Sequence, residues 1–322
     1  MIAPGGDAAA QPDRLALVVV NFASSALLAK GLVHSELHAV VDEIVIVDNP
    51  SSDEESSRIR ELSDANGWDL VVLPRNEGFG AGINAGVDRA GDLGCTRVLA
   101  LNPDAAIDAD SVRRLLDASR ADPRALVGPR VVRSDGSTWF SGAVLDPRDG
   151  TTRRALPDEL DGDRTWQTGA CFVTTLAMWR VVGGFDDDYF MYWEDLDLSW
   201  RWREAGGSLV LRADATAVHD AGGTQGGAGK SPLYVYFNCR NRLLFARKRL
   251  SSRHGRRWWR GSITYAWRVA TRGSRRMLAR HPLLLWSAAR GTLAGAFGPF
   301  APRPGSALRS GGTPSVAPAP KN

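Results

Sequence analysis

Cysteine is scarce in this chain: only Cys95, Cys171 and Cys239 occur among 322 residues. They are far apart and odd in number, which excludes a disulfide framework and a zinc-ligand spacing and fits a reducing, cytoplasmic setting. Residues 1–14 have neither a basic start nor an apolar core, so no signal peptide is read there. No apolar run reaches the roughly 18 residues of a spanning helix; 281–300 is broken by Arg290 and several glycines. Acid is missing altogether after Asp220. All 36 Asp and Glu lie at or before it with 21 Lys and Arg, a net of −15, and the other 19 basic residues follow. That segregation points to an anionic surface as a partner of the C-terminal third. The first apolar run also lacks a glycine loop, ending in Asn21-Phe22-Ala23-Ser24. The dinucleotide fingerprint requires one there. Asp48, placed as a ribose-binding acid would be, keeps a nicotinamide oxidoreductase as the alternative.

Hydrophobic content of 43% and charged content of 24% are those of a globular protein, and the length suits one large domain with an appendage. Apolar runs at 15–20, 44–47, 70–73 and 98–101 alternate with stretches of helical composition such as 51–65 and 109–121. Runs apolar on both faces and separated by helices predict an α/β fold with a parallel sheet covered on both sides. The loops after these strands then open on one edge, where ligands of such sheets bind. Beyond residue 122, segments at 124–132, 137–145 and 165–174, broken by Gly, Pro and Asp, predict a smaller mixed region laid against that sheet.

Two acidic sites stand out. Asp104 follows a buried strand, and Glu194, Asp195 and Asp197 open a helix that stops at Gly206-Gly207. Asp104 reads equally as a turn residue after proline, and the cluster as first-turn acids facing a helix dipole. Asp197 lies four residues before Arg201, the spacing of an intrahelical ion pair. The loop Gly78-Phe79-Gly80-Ala81-Gly82 could cradle phosphate through backbone N–H groups. Tyr189-Phe190-Met191-Tyr192-Trp193 reads either as core or as a platform for sugar faces.

Seven motifs carry a resemblance: Val20-Asn21, Val47-Asp48-Asn49-Pro50-Ser51-Ser52-Asp53, Asn76-Glu77-Gly78-Phe79-Gly80-Ala81-Gly82-Ile83-Asn84-Ala85-Gly86, Leu101-Asn102-Pro103-Asp104, Thr168-Gly169-Ala170, Gly184-Phe185-Asp186 and Glu194-Asp195-Leu196-Asp197-Leu198. Over about residues 15–250 their order and spacing resemble family 2 glycosyltransferases, in the rhamnosyltransferase-like branch. The resemblance implies a GT-A fold and an inverting single displacement. It implies nucleotide contacts from Asn21 and Asp48, with Asp48 accepting from the base ring, and a loop of Asn76, Gly78 and Asn84 beneath the ribose and diphosphate. Asn102 and Asp104 occupy the metal motif, and Asp104 with His219 would hold Mg2+ or Mn2+. Many relatives carry two aspartates at that motif; Asn102 replaces the first, which implies a weakly held metal. Asp195 is the implied general base, with Glu194 competing for the role.

The residue types suit the chemistry. A leaving nucleoside diphosphate develops charge that a hard cation neutralises, and an imidazole ligand tilts the choice toward Mn2+. The attacking hydroxyl must lose a proton to a placed carboxylate. The expected activity is transfer of a sugar, rhamnose from dTDP-rhamnose before UDP- or GDP-linked donors, to a lipid-linked or polysaccharide acceptor in cell-envelope glycan synthesis. The catalytic domain is expected over 14–229 and a basic helical membrane-associating region over 230–301, with disorder at 1–13 and 302–322. Trp258, Trp259 and Trp267 among arginines suit an anionic membrane surface at the inner face of the cell membrane rather than nucleic acid.

Overall fold

The computed structural model describes residues 13–160, 162–219, 231–271 and 283–299. The expectations for 1–12, 272–280 and 302–322 fall outside these residues. The chain runs β1 (Leu15–Asn21), α1 (Ser25–Gly31), β2 (Glu43–Asp48), α2 (Asp53–Asn66), β3 (Asp69–Val72), α3 (Phe79–Asp92), β4 (Arg97–Leu101), β5 (Ala105–Ile107), α4 (Ala109–Ala121) and β6 (Ala125–Val132). It continues with β7 (Thr138–Phe140), β8 (Ala143–Leu145), β9 (Thr152–Arg154), β10 (Thr165–Trp166), β11 (Cys171–Thr175), α5 (Leu176–Val182), α6 (Glu194–Glu204) and β12 (Ser208–His219). Helices α7 (Pro232–Arg249), α8 (Ser252–Arg260), α9 (Ser262–Thr271) and α10 (Leu283–Phe297) complete it.

The main sheet has the order β3-β2-β1-β4-β11-β6-β12-β5, with β7 beside β6. Strands β3, β2, β1 and β4 are parallel, as their double-sided apolar runs predict, and every residue of β1 is buried. Strand β11 enters antiparallel between β4 and β6. The segments beyond residue 122 are therefore not a separate region. Strand β11 is as buried as β1, β6 is buried except at Arg130 and Val132, both extend the main sheet, and among the described residues β10-β8-β9 form a second one.

Local chemistry accounts for the helix ends. Ser52 caps α2 by accepting from Glu55 N at 3.2 Å, three acids fill its first turn, and Gly67 ends it at φ 68. On α3 the glycines serve packing. A Cβ on Gly86 would collide with Val18 of β1 and press on Val47 of β2, so this helix lies closer to the sheet than any side chain there would allow.

The C-terminal helices face inward with much of their charge. Arg249 Nε bonds Asp197 Oδ1 at 2.7 Å, and Lys248 Nζ bonds Asp186 at 2.7 Å and also pairs with Asp188. Arg242 is buried, donates to Asp149 O at 2.8 Å and lies over the rings of Trp258 and Tyr265 at 5.1 and 4.5 Å. Part of the charge segregation is thus spent within the fold. Trp258, expected at a membrane interface, is fully buried: it stacks on Phe245 at 6.0 Å and donates Nε1 to Pro147 O at 2.9 Å. Its indole found an internal acceptor and an aromatic partner.

Candidate active site

The loops at the C-terminal ends of β1, β2 and β4 open into a cleft of about 1020 Å³. On one side Asn49 Nδ2 donates to Asn76 Oδ1 at 2.9 Å, Asn49 Oδ1 accepts from Glu77 N at 2.9 Å, and Asn76 Oδ1 accepts from Gly78 N at 3.0 Å. These bonds shape the loop 76–78 before any ligand arrives. Gly78 has φ 92, and a Cβ there would overlap Phe190 O, so glycine is required twice over. Asn49, Asn76 and Gly78 line the cleft. Asn21 and Asp48 are buried outside the cleft lining: Asn21 Nδ2 donates to Asp48 Oδ1 at 3.1 Å, and Asp48 Oδ2 has no partner among the described residues.

Asn84 stands elsewhere. Its amide brackets Phe185, accepting from Phe185 N at 2.8 Å and donating to Phe185 O at 2.9 Å, and it is outside the cleft lining. It fastens α3 to the turn before α6.

Sheet register builds the next site. Strand β5 runs antiparallel to the end of β12, pairing His219 with Ala105, which puts the imidazole beside the preceding residue, Asp104. His219 Nε2 lies 3.0 Å from Asp104 Oδ1, and the ring packs edge-on against Trp139 at 4.6 Å. His219 Nδ1 and Asn102 Oδ1 are buried without partners among the described residues. A carboxylate, an imidazole and a free amide oxygen are a donor set that fits a divalent cation. No group of three or more His, Cys, Asp or Glu able to hold a metal occurs among the described residues, so such a cation would need oxygens from its ligand as well.

Across the same cleft stand Glu194 and Asp195, at the start of α6. Tyr192 and Trp193 precede them in the left-handed region, at φ 63 and φ 75. Asp195 Oδ2 accepts from Gly169 N at 3.3 Å and Oδ1 from Leu196 N at 2.8 Å, while Glu194 Oε2 is buried without a partner among the described residues. Burial raises both carboxyls above their ordinary range, the charge of Asp195 raises Glu194 further, and backbone donors pull Asp195 partly back. Of the two, Asp195 is the one whose anion the surroundings support. Asp197 is fully buried and bonded to both Arg201 and Arg249, as the spacing to Arg201 predicts.

The raised Glu194 has a consequence for stability. A carboxyl that binds its proton more tightly folded than unfolded stabilises the fold fully below the unfolded pKa, and that contribution is lost as pH rises through the raised folded value. Glu194→Gln is expected to lose less melting temperature than the wild type between weakly acidic and alkaline buffer. Scanning calorimetry across that range measures it, and equal slopes would refute it.

The third wall is one that sequence reasoning missed. Leu233, Tyr234, Phe237 and Asn238 of α7 and Tyr265, Arg268 and Val269 of α9 all line the cleft. Phe237 stacks on Phe190 at 5.4 Å and Tyr234 meets Tyr192 edge-on at 5.1 Å. The i, i+3 spacing of Tyr234 and Phe237 and the i, i+3, i+4 set of Tyr265, Arg268 and Val269 are the available signals. The aromatic stretch before α6 divides: Tyr189 is core, while Phe190 and Tyr192 face the cleft.

The sequence model of "Glycosyl transferase family 2" matches residues 25–186. The chain belongs to that family. This glycosyltransferase is 30% identical over 226 residues to the N-acetylglucosaminyl-diphospho-decaprenol L-rhamnosyltransferase of Mycobacterium tuberculosis, covering 62% of this chain and 71% of the relative. It is 25% identical over 245 residues to the low-salt glycan biosynthesis hexosyltransferase Agl10 of Haloferax volcanii, covering 72% and 75%. Among solved structures it resembles the mannosyltransferase PcManGT from Pyrobaculum calidifontis in complex with GDP-Man and Mn2+, with a TM-score of 0.53, 15% identity and coverage of 88% and 87%. GalNAc-T7 with UDP, GalNAc and Mn2+ gives a TM-score of 0.54 at 14% identity, over 70% of this chain and 47% of that one. The fold of the glycosyltransferase is GT-A, and its work is glycan synthesis. With a glycine-free turn after β1 and this membership, the oxidoreductase alternative falls away.

Proposed function

We propose that the enzyme is an inverting transferase that moves rhamnose from dTDP-rhamnose to a lipid-linked or growing polysaccharide acceptor in cell-envelope glycan synthesis. The observation that carries this reading is one cleft lined by both the Asp104-His219 pair and the Glu194-Asp195 pair. Likeness to the mycobacterial relative supports the sugar and the lipid-linked acceptor. Asn49, Asn76 and Gly78, which line the cleft, would receive the nucleotide, and Asp48 Oδ2, buried behind the lining without a partner among the described residues, would accept from an N–H of the base ring once the ligand opens the loop. Asp104 and His219, with Asn102 beside them, would hold Mn2+ or Mg2+, which when bound offsets charge on the departing diphosphate. Asp195 takes the proton of the attacking hydroxyl, and Glu194, the more readily protonated of the two, keeps a second negative charge away from it. The aromatic wall of α7 and α9 suits the apolar part of an amphiphilic acceptor.

Among the described residues no helix is long and apolar enough to cross a membrane. The proposed location is peripheral, at the inner membrane face. Supporting it, Ile263 and Trp267 are exposed on α9, Trp259 and Phe297 are exposed and in contact, and Arg253, Arg256, Arg257 and Arg260 are exposed on α8. Removing this region whole would take Trp258 away from Trp193 and Phe245, so point changes are the better probe. Ile263→Ser with Trp267→Ser should reduce flotation on anionic vesicles, and high salt should reduce it further. Unchanged flotation would count against the location alone.

The donor is tested by thermal stabilisation. At about 100 times its dissociation constant a ligand adds about 2.7 kcal/mol, a shift of several degrees for a domain of this size. The expected order is dTDP-rhamnose above UDP- and GDP-sugars, and larger with Mn2+ than with chelator. A clear preference for a UDP- or GDP-sugar would replace the donor.

A further inference from the structure

Helix α7 lies beyond the span matched by the family, residues 25–186, yet one of its side chains supports the acidic pair from behind. Asn241 is fully buried. Its Nδ2 donates to Met191 O at 2.8 Å and to Tyr192 O at 2.8 Å, and its Oδ1 accepts from Arg240 Nη1 at 2.6 Å. Both amide hydrogens are therefore given to successive carbonyls of the segment that delivers Glu194 and Asp195. In that segment Tyr192 and Trp193 adopt φ of 63 and 75, a region that bulky L residues leave unless their surroundings hold them there.

The geometry points to Asn241 as a positioning residue. Its amide holds the left-handed step at Tyr192-Trp193, and this step sets where the Asp195 carboxylate stands in the cleft. The inference rests on the reading of Asp195 as the base. The residue type fits the task, because one nitrogen must serve two neighbouring carbonyls. Serine brings one donor and aspartate none, and a buried anion would repel both carbonyls. The contact on the cleft side is long, Gly169 N to Asp195 Oδ2 at 3.3 Å, so Asp195 depends on how its own backbone is held.

The test compares full-length Asn241→Ala with Val235→Ala, a buried position on the same helix in the separate cluster with Val269, Leu284 and Ala288. Asp195→Asn is run alongside, with the donor that stabilises the protein most. Asn241→Ala is expected to lower kcat roughly 10–100-fold, since a 1 Å misplacement of a catalytic group alone costs about 10². Donor KM should stay within about twofold, as expected when a transition-state contact is lost rather than uniform binding. The acid limb of the kcat profile should move to lower pH, because water reaching Asp195 relieves the burial that raises it. Glu194 is the other ionisable group that acts on this pair, and Glu194→Gln in the same background should leave the direction of that move unchanged. Asn241→Ala that matches Val235→Ala in kcat and in acid limb, beside a disabled Asp195→Asn, would overturn the positioning role alone. Near-native turnover by Asp195→Asn would overturn the base assignment and this inference with it.

Discussion

Asp195→Asn is expected to bind its sugar nucleotide nearly as the wild type does and to turn over about 10²–10⁴-fold more slowly, the span for loss of a general base. The nucleotide contacts proposed above lie at the end of β2 and in the loops after β2 and β3, whereas Asp195 lies in the first turn of α6 and is held by Gly169 N and Leu196 N. An amide keeps the volume and one acceptor but cannot take a proton. Glu194→Gln should cost less, because Glu194 stays closer to its protonated form. The wild-type rate should fall as pH drops through the raised pKa of Asp195, since only the anion serves, and this limb should lie above the range of an exposed carboxylate. Single-turnover rates and donor binding on the same preparations check both halves. Near-native turnover, or an equal loss of binding, would remove Asp195 from the role.

Asp104→Ala should act on the other half of the reaction. Removing it leaves His219 with no carboxylate partner and a cation with one protein ligand fewer. Donor affinity measured with Mn2+ should fall by at least the roughly 10–100-fold that loss of a mere supporting partner costs at a metal site. The variant should also bind donor almost equally with and without chelator, whereas the wild type should not. Because Asn102 would contribute only a neutral oxygen, half-saturation should need more metal than a site with two carboxylates, and Asn102→Asp should lower that requirement. Full wild-type activity in excess chelator would take the metal out of the mechanism.

Strands β1, β2 and β4 were legible because buried parallel strands write continuous apolar runs, the half-buried edge strand β3 carries a short run of its own, and the loops after β1, β2 and β4 could be placed at one edge from topology alone. Bringing Asp104 beside His219 was not a matter of pattern: it depends on the antiparallel register of β5 and β12, which joins residues 115 apart. The surroundings of Asn84 were out of reach of pattern for a similar reason. Its motif position is right, but its amide is consumed by the backbone of Phe185, a partner 101 residues away. Separation along the chain also hid the wall from α7 and α9, where Phe237 and Tyr234 meet Phe190 and Tyr192 of a distant segment. Composition showed the segregation of charge correctly but not its direction, because Arg249 and Lys248 turn toward acids of the catalytic body instead of outward.

That inward turn bears on how the protein is made. Synthesis begins at the N-terminus, so Asp186, Asp188, Asp197 and the left-handed step at Tyr192-Trp193 leave the ribosome before Asn241, Lys248 and Arg249 exist to meet them. Until then a buried carboxylate such as Asp197 lacks half of its counter-charge and the acidic pair has no support from behind. A chain stopped short of α7 would carry every motif of the family and still be unfinished as an enzyme. Helix α7 thus acts as a clasp on the acidic segment, which reaches its final form only once residues 241–249 have joined it.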